Sequence, residues 1–130
     1  MNELTNTAIA EGTYNSIPTS LSSNTSVVNI IEGLTLTLVA DKQNWINGAL
    51  TYTITLNNQT STAFNTPTIT DIIDIDKVTF VEDSVTINET KATSSQYTYD
   101  SSTHTLKVTL TEVPENSTST IKFQVKKKTT

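Results

Sequence analysis

Residues 50–56 read LTYTITL, with apolar and polar side chains in strict alternation. An extended chain with one face buried and one face wet satisfies that pattern, because successive side chains of a strand point to opposite faces. Leu50, Tyr52, Ile54 and Leu56 are thereby expected inward, and Thr51, Thr53 and Thr55 outward. The same period recurs at residues 34–40, 66–73, 77–81, 84–88, 96–99, 104–111 and 118–126. Turn formers separate these runs: Asn47-Gly48, Asn57-Asn58, Glu82-Asp83, Asp100-Ser101-Ser102 and Pro114-Glu115-Asn116. No long window carries a 3.6-residue period. Many short strands at this spacing predict an all-β, antiparallel sandwich with no substantial helix. Alternation extends the inward set to Leu36, Leu38, Phe80, Val85, Leu106, Val108, Leu110, Ile121 and Phe123, and the outward set to Thr35 and Thr37.

The outward half of these strands is built largely from threonine. The chain holds 28 Thr, and Thr, Ser and Asn together make 53 of its 130 residues. Threonine is β-branched and stiff at χ1, so it suits a pleated surface, and its hydroxyl accepts water. Strands with a wet but weakly charged face are common in secreted and cell-surface β proteins.

Other classes are disfavoured. A net charge of −5, with all eight basic residues Lys, argues against nucleic acid, because phosphate contacts need a basic face. The run Lys126–Lys128 reads as a solvated strand end. Cysteine is absent, so neither disulfides nor thiol chemistry are available. No apolar stretch approaches the roughly 20 residues of a membrane span, and no signal peptide opens the chain. An exported protein of this kind would contain the chain as an interior fragment.

The first third is weaker in pattern. Residues 4–10 and 24–31 form extended runs divided by a Ser/Thr/Asn-rich loop with Pro18, and Glu32-Gly33 leads into the first strong strand. Two regions are therefore expected: 1–32, an extended segment or hairpin, and 33–130, the main β domain.

From residue 34 the text LTLTLVADK…GALTYTITLNN resembles the opening of the DUF11 repeat, an Ig-like β-sandwich found in tandem in bacterial surface proteins. ITDIIDIDKVTFVEDSVTIN and YDSSTHTLKVTLTEVPENSTSTIKFQV resemble its middle and closing segments, so the likeness covers roughly residues 33–126. Asp74, Ile75 and Asp76 replace an expected Pro and Gly, and Asp83 stands where a Gly often sits. The resemblance implies an Ig-like sandwich of about seven to nine short strands. Patterns typical of a repeat's tail occur at the front, in Asn6-Thr7-Ala8 and Ser23-Asn24-Thr25 through Val28. Residues 1–32 are thus expected to be the tail of a preceding repeat and to complete the sheet, within the chain or by strand exchange with a neighbour.

Candidate sites are few. Asp71, Asp74 and Asp76, with Glu82 and Asp83, offer oxygens for Ca²⁺, but their spacing fits no calcium loop, and acids at a turn or edge are ordinary. Trp45, flanked by Asn44 and Asn47, is a candidate for stacking on a sugar or for capping the sandwich. His104 has no Cys or second His to join it, and no serine lies in a G-x-S-x-G elbow. Lys42 and Lys122 are candidates for an isopeptide crosslink to an Asn or Asp. No cofactor is expected and no enzymatic activity. The resemblance implies a spacer or stalk module at a bacterial cell surface, with adjacent repeats of the same polypeptide as partners, as a monomer or strand-swapped oligomer. The alternatives are an adhesin-type module holding a host protein or glycan through its loops, and a non-catalytic module of a polysaccharide-degrading enzyme.

Overall fold

In the computed structural model residues 2–129 are described, and the chain divides into two compact units, Met1–Glu32 and Gly33–Thr130. Every described regular element is a strand, and every paired strand is antiparallel.

The first unit is a long bulged hairpin. Strand β1 (Asn2–Asn6) pairs with β4 (Ser26–Ile30), and β2 (Ile9–Tyr14) pairs with β3 (Ile17–Ser22). Asn15 and Ser16 join β2 to β3 with φ of 49° and 66°, the two left-handed residues that a primed hairpin turn requires. Asn6 faces Ser26 but Ile9 faces Ser22, so two residues of one arm oppose three of the other. Ser23 fills the bulge: its N–H donates to the Ala8 carbonyl and its hydroxyl accepts the Ala8 N–H, both at 2.9 Å. Two expectations change here. The stretch around Pro18 is strand rather than loop, and Pro18 sits opposite Thr13, where a two-stranded ladder leaves an outer edge to receive its missing N–H. Residues 2–30 also find all their ladder partners among themselves instead of completing the larger sheet.

Among its described residues the second unit contains eleven strand segments. They are β5 (Leu34–Ala40), β6 (Ala49–Asn58), β7 (Phe64–Asn65), β8 (Thr68–Ile72), β9 (Val78–Phe80), β10 (Thr86–Ile87), β11 (Thr90–Lys91), β12 (Tyr97–Asp100), β13 (Thr105–Thr109), β14 (Glu112–Val113) and β15 (Ser117–Lys127). The larger sheet has the order β11-β10-β15-β6-β5, with β9 alongside the last residues of β15. The smaller has the order β12-β13-β8, and β14 pairs with β7. The backbone of this unit is the β6–β15 ladder, running from Ser117 opposite Asn58 to Lys126 opposite Ala49.

The two sheets share one core. Leu50, Ile54 and Leu56 of β6 and Ile121, Phe123 and Val125 of β15 pack with Ile69 of β8 and Leu106 and Val108 of β13. The Tyr52 and Phe123 rings stack with centroids 5.3 Å apart. This two-layer arrangement is consistent with a β-sandwich. Alternation is correct along β6, β13 and β15, where the inward set is buried or half-buried and Thr51, Thr53 and Thr55 are partly covered. It fails to bury Leu36 and Leu38. Both share the core-side face, opposite Leu56 and Ile54, yet remain 60% and 54% exposed. The register is right, and the strands of the smaller sheet do not cover these two side chains.

Asn57-Asn58 is the other departure. Instead of turning the chain, both residues continue β6, and the turn follows them. Asn58 is fully buried, its amide donating to the carbonyls of Thr62, Val113 and Pro114 at 2.9–3.1 Å. Its carbonyl accepts the Thr60 N–H and hydroxyl. One side chain thereby ties the end of β6 to the turn behind it and to the chain leaving β14.

Candidate functional site

The free side of β5 and the edge strand β8 flank an open cleft. At one end its volume is about 590 Å³, with Trp45, Tyr52 and Phe123 among its aromatic lining and Asp71, Lys77 and Lys127 among its charged groups. A shallower stretch of about 290 Å³ continues along Leu36, Pro67 and Ile69.

Trp45 is set by the loop between β5 and β6. Asp41 pins the loop's base: its backbone pairs with Thr51 and its carboxylate accepts the Thr51 N–H at 3.0 Å. That bond, with the Lys42 ammonium beside it, holds the Asp41 carboxyl below the ordinary range. Gly48 turns the loop at φ +77°, a conformation that suits glycine. The Trp45 indole N–H donates to the Gly48 carbonyl at 3.1 Å, so the ring folds back over the end of the two-sheet unit and packs on the core. Lys127 lies over the ring, its ammonium 5.4 Å from the centroid, and also donates to the Ile46 carbonyl at 2.8 Å.

The acidic candidates do not converge. Asp71 lies on the core side of β8, opposite the buried Leu106, and partial burial raises its carboxyl above the ordinary range. Asp74 is spent on a turn, accepting the Asp76 N–H at 3.1 Å and facing the Lys77 ammonium at 3.4 Å. Asp76 contributes its backbone to that turn and is exposed. Among the described residues no three His, Cys, Asp or Glu side chains gather as a metal would need.

The remaining candidates are occupied locally. His104 sits at φ 58° in the turn before β13, its carbonyl accepting the Ile73 N–H. Lys42 bonds to Asp41 and to the Ala49 carbonyl, and Lys122 pairs with Glu89 at 2.6 Å. Both ammoniums are partly exposed in ion pairs, whereas an isopeptide site needs a buried Lys held against an Asn or Asp. The run Lys126–Lys128 is more than a solvated end. Lys127 holds the Trp45 loop, and Lys128 donates to the Ile75 carbonyl at 3.1 Å. These contacts span 81 and 53 residues, and no local sequence signal marks them.

Chemically, this is an apolar, aromatic-floored cleft with two carboxylates, the half-buried Asp71 and the exposed Asp74, and two ammoniums, those of Lys77 and Lys127. It can hold an apolar or aromatic surface more readily than it can polarise a bond. No protein-family model matches the chain, and neither does any curated protein or solved structure. Among the described residues there is no helix long and apolar enough to cross a membrane.

Proposed function

We propose that the protein is a structural repeat module, a spacer of a bacterial cell-surface or secreted protein of the DUF11 type, with an Ig-like sandwich as its folded unit. The observation that carries this reading is where the chain enters and leaves the two-sheet unit. Leu34 enters opposite Asn58 at one end of β6, and Lys126 leaves opposite Ala49 at the other. Nine residue steps of strand separate these poles, about 30 Å. Units joined through such poles string end to end.

The same arrangement resists tension. Strands β5 and β15 flank β6 and both run antiparallel to it. Tension applied at Leu34 and Lys126 shears both ladders along their length, so many backbone hydrogen bonds must fail together. The Thr-faced strands supply solubility without a large charge, and the resemblance in sequence supplies the cell-surface setting.

Single-molecule pulling tests the idea. Handles at Gly33 and Lys127 should give one unfolding event at severalfold higher force than handles at Ala49 and Lys126, which adjoin and unzip. Equal forces in the two geometries would remove the mechanical basis of the proposal. The open cleft beside Trp45 supports a second reading, an adhesin-type module. A specific host protein or glycan retained on an array, and lost on Trp45→Ala, would favour it over the spacer.

A further inference from the structure

Among the chain's twelve asparagines, only Asn47 is followed by glycine. Both residues are exposed, in the loop that carries Trp45 from β5 to β6. Gly48 stands at φ +77°, and a Cβ added there would meet nothing within 4 Å. Among the described residues its N–H donates to no acceptor, while its carbonyl takes the Trp45 indole N–H at 3.1 Å. Two ammoniums bracket the Asn47-Gly48 peptide: Lys127 donates to the Ile46 carbonyl at 2.8 Å, and Lys42 to the Ala49 carbonyl at 2.7 Å. Asp41 offsets Lys42 in part, its carboxylate lying 3.0 Å from that ammonium.

We propose that Asn47-Gly48 is a site of spontaneous modification, at which Asn47 deamidates through a cyclic succinimide and ends mainly as isoaspartate. The Gly48 nitrogen gives up its proton to base in the solvent and attacks Cγ of Asn47. The N–Cγ bond forms, the Cγ–Nδ2 bond breaks, and Nδ2 takes a proton from water and leaves as ammonia. A second step opens the ring with water. Addition at Cγ gives aspartate. Addition at the main-chain carbonyl carbon gives isoaspartate, with the chain rerouted through Cβ and Cγ. In sum one water is consumed, one ammonia is released, and the loop gains one negative charge.

Three features of this loop favour the reaction. Glycine lacks the Cβ that would hinder ring closure, and open space surrounds it. The unpartnered N–H has no hydrogen bond to give up before it reacts. Nearby ammoniums favour the deprotonated amide and then the new carboxylate, because an opposite charge stabilises an ionised group. Other asparagines lack this combination. Asn15-Ser16 and Asn116-Ser117 put a side chain on the attacking residue, and Asn58 is fully buried with its amide committed to three carbonyls. The product alters the cleft. Isoaspartate adds one carbon to the main chain between Trp45 and Gly48, inside the small ring that the indole–Gly48 bond closes. With Asp41 and Thr51 fixing the base of the loop, the added length draws the Gly48 carbonyl away from the indole. Trp45, part of the cleft wall, is thereby released. This holds whether the module serves as spacer or adhesin.

Peptide mass mapping of the full chain tests the site. The folded protein is held in mildly alkaline buffer made with heavy-oxygen water and digested in ordinary water, so only conversion during the incubation is labelled. Residue 47 should lose its ammonia and take up one heavy oxygen, and electron-transfer fragmentation should identify the product as mainly isoaspartate. Its rate should lie within severalfold of the rate in urea, and Asn15 and Asn116 of the folded chain should react more slowly. Emission from Trp45 should move to longer wavelength in step with the isoaspartate. Asn47→Gln keeps an amide at an exposed position but closes to a less favoured six-membered ring, so it should show neither change. An Asn47 that reacts more than an order of magnitude more slowly folded than in urea overturns the proposal, as does one no faster than Asn15 and Asn116. Full conversion with unchanged Trp45 emission overturns the effect on the cleft.

Discussion

Leu36 stands directly opposite Leu56 in the β5–β6 ladder, on the same face of the sheet, yet Leu56 is 6% exposed and Leu36 is 60% exposed. Two leucines in one cross-strand pair occupy different environments because the smaller sheet reaches over β6 and stops short of β5. The difference belongs to the layer above, not to the strand.

That contrast fixes what the two positions are worth in the dilute monomer. Leu56→Ala removes methyl groups from a closed core and should cost about 2–5 kcal/mol. Leu36→Thr alters a surface residue and should change stability by no more than about 0.5 kcal/mol. Urea unfolding at low protein concentration measures both. Comparable losses at the two sites would mean that β5 is covered in solution.

Asn58 tests the corner of the fold. Replacing it by Ala takes a donor away from three carbonyls and an acceptor from Thr60. With each unsatisfied buried group costing about 1–3 kcal/mol, and some reached by water after relaxation, the loss should be about 2–4 kcal/mol. Asn58→Asp should be worse at neutral pH, because a buried carboxylate would face those carbonyls. Its stability should recover partly as pH falls and the acid regains a proton to donate. A penalty for Asn58→Asp that does not change with pH would contradict this account.

Acid titration should separate two kinds of aspartate. Burial raises the Asp71 carboxyl, so the folded chain holds that proton more tightly than the unfolded one. Stability therefore falls as pH rises from the ordinary Asp value, 3.8, through the raised folded value. Asp71→Asn should abolish that slope and be the more stable protein above it. Asp100 has the opposite sign. Hydrogen bonds from the Ser102 hydroxyl and N–H lower its carboxyl, so its contribution is present above 3.8 and lost as pH falls through the depressed value. Urea midpoints across a pH series, parent against each variant, read these slopes. Difference curves of the same sign would refute the assignment.

Much of the second unit was legible because its strands bury one face and wet the other. LTYTITL in β6 and the alternating run in β15 behave as period two demands, and the buried sets meet in one core. What the sequence left unread depends on partners distant in the chain. Alternation gives the face on which Leu36 lies but not whether a second layer covers it. Asn58 resembles a turn residue until its amide is seen to meet the Val113 and Pro114 carbonyls, 55 and 56 residues away. The hairpin turn at Asn15-Ser16 was hidden by Pro18, which a central strand excludes but an edge tolerates. At the cleft, Trp45 was visible as an unusual residue. The Lys127 that sits over it was masked by two neighbouring lysines.

Those three lysines give the last prediction. Lys127 makes two contacts with the Trp45 loop, a hydrogen bond to the Ile46 carbonyl and the approach to the indole face. Lys126, one residue earlier on β15, is exposed and points to the other side of the sheet. Both substitutions to Ala remove one positive charge from the same strand end, so any difference between them reports contact rather than net charge. Lys127→Ala should cost about 0.5–1 kcal/mol, the scale of a cation–π contact near the surface. It should also shift the emission of Trp45, the chain's one tryptophan, to longer wavelength as water reaches the ring. Lys126→Ala should leave the emission unchanged. High salt should move the parent's spectrum only slightly, because the Trp45–Gly48 hydrogen bond holds the ring independently of the ammonium. Identical spectra for the two variants would show that the ring is held by the loop alone.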